Sequence, residues 1–174
     1  MTRMLGTLML ATALAFGASS EAQAQQFTFG PGVAYHDDFD LGIGVWFATP
    51  MPSIHEQVSL WGSFIYFFPD GGSSLVDVSY FELNGGLAYD FVTEGTIVPF
   101  VSAGLNFARV SVDYSGPADD LFDIGASSTD IGLSVGGGIK TNLGDSLTGV
   151  AGARLELGGG EGLVIEAGLG FPMG

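Results

Sequence analysis

Residues 163–171 read LVIEAGLGF, and this stretch indicates the fold most clearly because two kinds of side chain alternate along it. In an extended strand, successive side chains point to opposite faces of the sheet. One face carries Leu163, Ile165, Ala167, Leu169 and Phe171, and the other carries Val164, Glu166, Gly168 and Gly170. The first face is wholly apolar. Small residues dominate the second face, which suits the crowded interior of a narrow barrel better than a solvent surface.

Three further stretches repeat this alternation. Their second faces carry, in order along the chain, Glu82, Asn84, Gly86, Ala88 and Asp90; then Asp130, Gly132, Ser134, Gly136, Gly138 and Lys140; and then Thr148, Val150, Gly152, Arg154 and Glu156. A water-soluble barrel points its apolar face inward, whereas a membrane barrel points it at lipid and keeps polar or small residues inside. The alternation therefore favours a membrane barrel.

Eight such segments follow Gln26, and none of the chain beyond it has the apolar spacing of an amphipathic helix. We predict strands at 26–36, 40–48, 57–68, 79–92, 96–111, 129–141, 146–157 and 162–172. The longest connection lies between the fifth and sixth strands, in the odd-numbered set that forms the external loops of an outer-membrane barrel. The predicted fold class is all-β, an eight-stranded antiparallel up-and-down transmembrane β-barrel.

Charge and composition exclude several functions. The 174 residues include 19 acidic but 4 basic side chains, for a formal net charge of −15. Because nucleic-acid binding needs Lys and Arg to neutralise phosphates, nucleic acid is not an expected partner. The chain has no cysteine, so a disulfide framework is excluded. Its length fits a single domain.

The N-terminal segment reads as an export signal. Arg3 supplies a positive charge, the run from Leu5 to Phe16 is mostly apolar, and residues 22–24 form a small-x-small cleavage site. We predict a secretory signal peptide at 1–24, cleaved after Ala24, and a barrel domain at 25–174. A transmembrane helix would need a longer apolar stretch.

Ionisable residues on the small-residue faces give the sharpest site prediction. We predict a polar network in the lumen, composed of Glu82, Asp90, Lys140, Arg154, Glu156 and Glu166. In the predicted register Arg154 lies directly opposite Glu166, its first partner, and Glu82 is its second. Lumen carboxylates offset the desolvation of a guanidinium, whereas an arginine facing lipid costs about 2–4 kcal/mol near the bilayer midplane. We interpret the network as interior packing rather than as a gate or proton path.

Two features do not fit the alternation. The third strand is apolar on both faces, with Trp61, Ile65 and Phe67 opposite Phe64. Arg109 shares the parity of apolar neighbours, so either it snorkels at the outer rim or a β-bulge shifts the register there. The mixed third strand leaves open an alternative, a soluble exported lipocalin-like barrel that binds a small apolar ligand.

The predicted external connections carry acidic residues without any Lys or Arg. These residues are Asp37, Asp38, Asp40, Asp70, Asp77, Asp113, Asp119, Asp120, Asp123 and Glu161. Carboxylate clusters suit divalent cations that bridge to lipid headgroups. Residues 119–123 nevertheless lack the ligand spacing of a calcium-binding loop, so we predict no metal site.

Catalysis has little support in the sequence. His36, next to Asp37, together with a loop serine such as Ser73 or Ser115 would be the minimum for a lipid-modifying acyl-transfer enzyme. The second histidine, His55, is predicted at the other end of the barrel and cannot join it. We therefore predict a non-enzymatic protein with no catalytic residue and no cofactor.

Residues 80–91 (YFELNGGLAYDF), residues 99–106 (PFVSAGLN) and the final strand share a glycine-aromatic style. In this style the chain resembles the small bacterial eight-stranded outer-membrane β-barrel family of the outer membrane protein X and porin-family type, and is similar to the barrel domain of outer membrane protein A. The resemblance implies a monomer in the outer membrane of a Gram-negative-type bacterium. It also implies contacts with outer-membrane lipid, periplasmic chaperones and the barrel-insertion machinery.

The resulting functional expectation is an integral outer-membrane barrel with a plugged polar lumen. We expect a structural, adhesive or surface-interaction role. Eight strands enclose a lumen too narrow for a general diffusion pore.

Overall fold

The computed structural model describes residues 27–69, 76–114, 125–158 and 160–173, and the regular structure within them is entirely β. The strands are β1 (Phe27–His36), β2 (Asp40–Pro50), β3 (Val58–Phe67), β4 (Val76–Asp90), β5 (Ile97–Tyr114), β6 (Gly125–Gly144), β7 (Leu147–Leu157) and β8 (Gly162–Met173). Each strand pairs antiparallel with the next, and β8 pairs with β1 to close the barrel. The predicted fold is confirmed. The expected signal peptide at 1–24 lies outside the described residues.

The two ends of the barrel differ in what they carry. We call the end with the β1–β2, β3–β4, β5–β6 and β7–β8 connections the loop end, and the opposite end, with Phe27 and Met173, the terminal end. Within the part of the chain that the structure describes, no helix has the length and apolarity needed to cross a membrane.

Three strands are longer at the loop end than the sequence pattern predicts. β4 begins at Val76 rather than at 79, β5 ends at Tyr114 rather than at 111, and β6 begins at Gly125 rather than at 129. Their backbone ladders continue through polar residues such as Ser127 and Ser128. Because ladder hydrogen bonds need no apolar face, a pattern based on apolar alternation misses these extensions.

The β7–β8 register differs from the prediction by two residues. Arg154 lies opposite Val164, not opposite Glu166. On its other side β8 bonds to the β1–β2 connection, where Asp37 N donates to Leu163 O (3.2 Å) and Leu163 N donates to Asp37 Oδ1 (3.0 Å). A two-residue shift leaves every side chain on the same face, so alternation alone cannot distinguish the two registers.

The outward face is apolar, and the inward face is polar or small. Leu105 and Ile131 point outward and are 60% and 71% exposed. Glu82, Asn106 and Glu156 point inward and are buried. The distribution is therefore the reverse of that in a water-soluble barrel.

A small apolar cluster fills the lumen near the loop end. Its buried members are Ala34, Ile65, Phe67, Tyr80, Ala108 and Val164. The third strand, which the sequence shows as apolar on both faces, contributes to it: Ile65 and Phe67 are buried inside, whereas Phe64 and Tyr66 point outward and are exposed. The inward aromatic and aliphatic side chains of β3 thus pack within the barrel.

Candidate functional site

Four charged residues converge in the loop half of the lumen. Glu82 comes from β4, Arg154 and Glu156 from β7, and Glu166 from β8. Each occupies an inward position of its alternating strand, so strand geometry alone directs these side chains to the barrel axis. Gly136 on β6 leaves room beside the arginine, because a Cβ atom there would lie 2.7 Å from Arg154 Cβ.

The guanidinium of Arg154 binds three carboxylates. Its Nη2 donates to Glu82 Oε2 (2.8 Å), its Nε donates to Glu156 Oε1 (2.8 Å), and its Nη1 donates to Glu166 Oε2. The arginine, Glu82 and Glu156 side chains are at most 2% exposed, and that of Glu166 is 30% exposed. One fixed positive charge therefore faces three carboxylates in a largely dry interior.

Neutral side chains complete the hydrogen bonding of two of these carboxylates. Tyr80 Oη donates to Glu82 Oε1 (2.8 Å), and Asn84 Nδ2 donates to Glu82 Oε2 (3.4 Å). On the other side Asn106 Nδ2 donates to Glu156 Oε2 (3.1 Å). Because a buried carboxylate is costly unless it is bonded, these donors stabilise the ionised network.

Aromatic rings cover the network on the side of the loop end. Phe39 stacks on Tyr80 with ring centroids 3.7 Å apart, and the His36 ring packs edge-on against Phe39 (4.9 Å) and Phe67 (5.7 Å). We call these four side chains the aromatic lid. They separate the charged network from the loops.

The sequence analysis missed the lumen position of His36. Sequence reasoning considered this histidine only for catalysis, whereas the structure buries its side chain completely in the lumen. A signal was present: Gly32 and Ala34 share its parity on β1, and they are small, whereas Val33 and Tyr35 are large and apolar. An inward histidine was the direct consequence of that alternation.

The remaining two predicted network residues lie elsewhere. Lys140 Nζ binds both oxygens of Asp90, at 2.6 and 2.8 Å, and lies 5.1 Å from the centre of the Phe100 ring. This pair sits near the terminal end, and its side chains are 20% and 31% exposed. The structure therefore divides the six residues into a four-residue cluster and a separate pair.

A cavity of about 70 Å³ lies in the lumen between the cluster and the pair. Glu166 and Lys140 line its two ends, and Trp46, Trp61 and Ser63 line its wall. The two indole nitrogens and the Ser63 hydroxyl are buried, and the described part of the chain offers them no hydrogen-bond partner. Buried donors of this kind are normally satisfied by ordered water, so we expect the cavity to be hydrated.

Glycines of β8 make the space that one indole occupies. A Cβ atom at Gly168 would overlap Trp46 Nε1, and one at Gly170 would lie 2.6 Å from Trp46 Cη2. The small-residue face of this strand therefore has a packing cause, since the Trp46 ring lies directly on it.

Arg109 points outward and is exposed. It pairs with Phe81 on β4 and with Thr129 on β6, and neither ladder shifts register there. The β-bulge considered for this position is therefore wrong. The outward arginine lies towards the loop end, where its long side chain can reach the polar boundary of a bilayer.

Of the residues considered for catalysis, the structure describes the two histidines and Asp37. His36 lies under the loop end, whereas His55 lies in the β2–β3 connection at the terminal end. Asp37 Oδ1 lies 3.3 Å from His36 Nδ1. Ser73 and Ser115, the proposed nucleophiles, lie outside the described residues.

Comparison with known proteins identifies the architecture. No family model matches the chain, and no curated protein sequence matches it. Solved structures do match. The neisserial surface protein A has a TM-score of 0.64 at 16% identity, covering 88% of this chain and 100% of that one. The fold is that of the small outer-membrane β-barrels.

Two further small outer-membrane barrels match at similar levels. The N-terminal β-barrel domain of Pseudomonas aeruginosa OprF has a TM-score of 0.60 at 17% identity, covering 86% of this chain and 98% of that one. The attachment invasion locus protein of Yersinia pestis, Ail, has a TM-score of 0.57 at 14% identity, with 86% and 97% coverage. At these identities the similarity concerns the fold.

Proposed function

We propose that this chain is an integral outer-membrane barrel with a plugged lumen. In this proposal 1–24 is a signal peptide cleaved after Ala24, and the exported chain is inserted as a monomer by periplasmic chaperones and the barrel-insertion machinery. Its partners in the membrane are outer-membrane lipids. Its role is structural, adhesive or directed at surface interactions, with the loop end facing outward.

The observation that carries the proposal is the reversed distribution of side chains. Leu163, Ile165 and Leu169 point away from the barrel axis and are 38–52% exposed, while Arg154 and Glu82 are buried inside. Soluble monomers rarely expose large continuous apolar patches, because contact of such surface with water is unfavourable. Lipid acyl chains would contact this apolar surface in place of water. A soluble lipocalin-like carrier would need these aliphatic side chains in its interior.

The contents of the lumen support a plug rather than a general diffusion pore. The charged cluster and the aromatic lid fill the loop half, and the cavity below them holds about 70 Å³. Solutes would have to displace Arg154 from three carboxylate partners to pass.

We also propose that the role is non-enzymatic. The His36 ring packs against Phe39 and Phe67 instead of facing an open cleft. Replacement His36→Ala in cells that overexpress the protein is expected to leave the envelope lipid composition unchanged. A lipid change that depends on His36 would support the alternative, a membrane-bound lipid-modifying enzyme.

Detergent extraction followed by gel electrophoresis tests the membrane assignment. The protein is expected to remain in the envelope pellet in buffer, to enter detergent, and to migrate differently before and after boiling because the barrel resists unfolding. Release into buffer with identical mobility in both lanes would overturn the assignment.

Liposomes that contain the purified barrel should swell in small sugars no faster than empty liposomes, with a general porin as the positive control.

A further inference from the structure

We propose that the loop half of the lumen binds one divalent transition-metal cation of the zinc class, held by His36 Nε2, Glu82 and Glu156. No part of the sequence prediction included this site. The three residues come from β1, β4 and β7, and the barrel brings their ligand atoms within 4.8 Å of one another. All three side chains are buried.

The first independent observation is the unpaired nitrogen of His36. Its side chain is completely buried, and Nε2 has no hydrogen-bond partner among the residues that the structure describes. The nearest charged atom is Glu82 Oε1 at 3.8 Å, which is too far for a hydrogen bond. Buried polar atoms are normally paired, so a free imidazole nitrogen directed at two carboxylates indicates a missing partner.

Charge gives the second observation. Glu82, Glu156 and Glu166 surround Arg154, so three carboxyl groups share one guanidinium. Lys140, the other lumen cation among the described residues, binds Asp90 near the terminal end and does not reach this cluster. A divalent cation would balance the charge, and buried charges are tolerated when they are paired or coordinate a metal.

The opposite ring nitrogen is placed as a metal-bound histidine requires. When Nε2 binds a cation, the ring proton must reside on Nδ1 and needs an acceptor, most often a carboxylate or carbonyl oxygen. Asp37 Oδ1 lies 3.3 Å from Nδ1. In the structure Nδ1 accepts a hydrogen bond from Asp38 N (3.0 Å). Loading therefore exchanges the Asp38 contact for a bond donated to Asp37.

The donor set selects the class of cation. One imidazole nitrogen with two carboxylate oxygens suits zinc, cobalt or nickel, whereas calcium and magnesium favour sites made of oxygen alone. Bonds of about 2.0–2.1 Å in a tetrahedral site place ligand atoms about 3.3 Å apart. From a separation of at most 4.8 Å, small side-chain movements are sufficient to close the site.

Cobalt serves as a spectroscopic probe of this site. The barrel is refolded from urea into detergent with Co²⁺, so that the aromatic lid does not limit access, and folded protein is separated from free metal. The wild type is expected to retain one equivalent of Co²⁺ with visible d–d absorption. Zn²⁺ should displace Co²⁺, and excess Mg²⁺ should not.

Variants locate the ion. Both His36→Gln and Glu156→Gln are expected to weaken Co²⁺ binding at least about tenfold, as loss of a ligand should exceed the effect of losing an outer-shell partner. The matched control is His55→Gln, since His55 is the chain's other histidine and lies at the opposite end. It should bind as the wild type does.

The Asp38→Asn variant distinguishes binding at His36 Nε2, inside the lumen, from binding at Nδ1, on the loop side of the same ring. His36, Asp37 and Asp38 also form a possible ligand group, through Nδ1. The proposal predicts that Asp38→Asn binds Co²⁺ normally. Loss of binding in Asp38→Asn with normal binding in Glu156→Gln would overturn it.

Folding controls keep the test decisive. Each variant is scored for the gel mobility of the folded barrel before binding is measured. If Glu156→Gln does not fold, the urea midpoint is measured for the wild type and His36→Gln: Zn²⁺ should raise it in the first and not in the second. Absence of bound Co²⁺ from a folded wild type would overturn the proposal.

Discussion

The two halves of the lumen contain the same kind of interaction in two different environments. In the loop half, Arg154 and its partners Glu82 and Glu156 are almost completely buried. In the terminal half, Lys140 and Asp90 are bonded at similar distances but are 20% and 31% exposed. The environment of an ion pair, rather than its presence, therefore determines how much it contributes to the free energy of unfolding.

The physical reason is solvent. The aromatic lid covers Arg154, Glu82 and Glu156, whose side chains are at most 2% exposed, so a charge left without its partner there has little water to replace it. Lys140 borders the cavity, and the partly exposed pair lies beside the β4–β5 and β6–β7 connections, where water screens charges. The same deletion should therefore have different consequences in the two halves.

The largest effect is expected from Arg154→Met. Removing the guanidinium leaves three carboxylates without their shared partner, and breaking a buried ion pair in this way costs about 3–5 kcal/mol. Urea unfolding of the barrel in detergent micelles, followed by tryptophan fluorescence in the presence of a chelator, measures the free energy of unfolding. A loss below about 1 kcal/mol would show that the cluster is not a dry structural unit.

A second variant tests whether that loss comes from uncompensated charge. It should gain free energy of unfolding relative to Arg154→Met, by less than Arg154→Met loses. Adding Glu82→Gln, Glu156→Gln and Glu166→Gln to Arg154→Met removes the carboxylates as well. Because neutralising a whole buried network is far less costly than removing one member, this variant should be more stable than Arg154→Met by about 2 kcal/mol or more. Equal stability of the two variants would indicate that the lost packing of the arginine side chain dominates.

The smallest effect is expected from Lys140→Met. Partly exposed ion pairs contribute about 0–1 kcal/mol, and salt screens them. The loss of free energy of unfolding should therefore be small and should shrink further at high salt, whereas the loss in Arg154→Met should respond little to salt. A large loss of free energy of unfolding that does not depend on salt would show that this pair stabilises the barrel as the buried cluster does.

The sequence predicted the fold because apolar alternation is strong wherever one face of a strand contacts lipid. β8 and β6 show this most directly, and the inward positions of Arg154, Glu156 and Glu166 follow from it. The division of the six ionisable residues was not predictable. Parity assigns a residue to a face, but its height along the barrel depends on register and strand tilt.

Two further details lay beyond the pattern. Alternation leaves the β7–β8 register open, because a shift by two residues keeps every side chain on its face. The burial of His36 depends on Tyr80 of β4, which is distant in the chain, and on Phe39, which folds back from the β1–β2 connection. Alternation along a strand carries no information about either packing contact.

The apolar face of this barrel is directed at lipid, and its polar face is directed inward. A nitroxide scan of residues 131–135 in lipid vesicles tests it most directly, and the absence of native cysteine allows one label at a time. Labels at Ile131, Leu133 and Val135 should collide frequently with oxygen dissolved in the bilayer, and labels at Gly132 and Ser134 should not. The reverse alternation, with Ser134 in contact with lipid, would contradict the account.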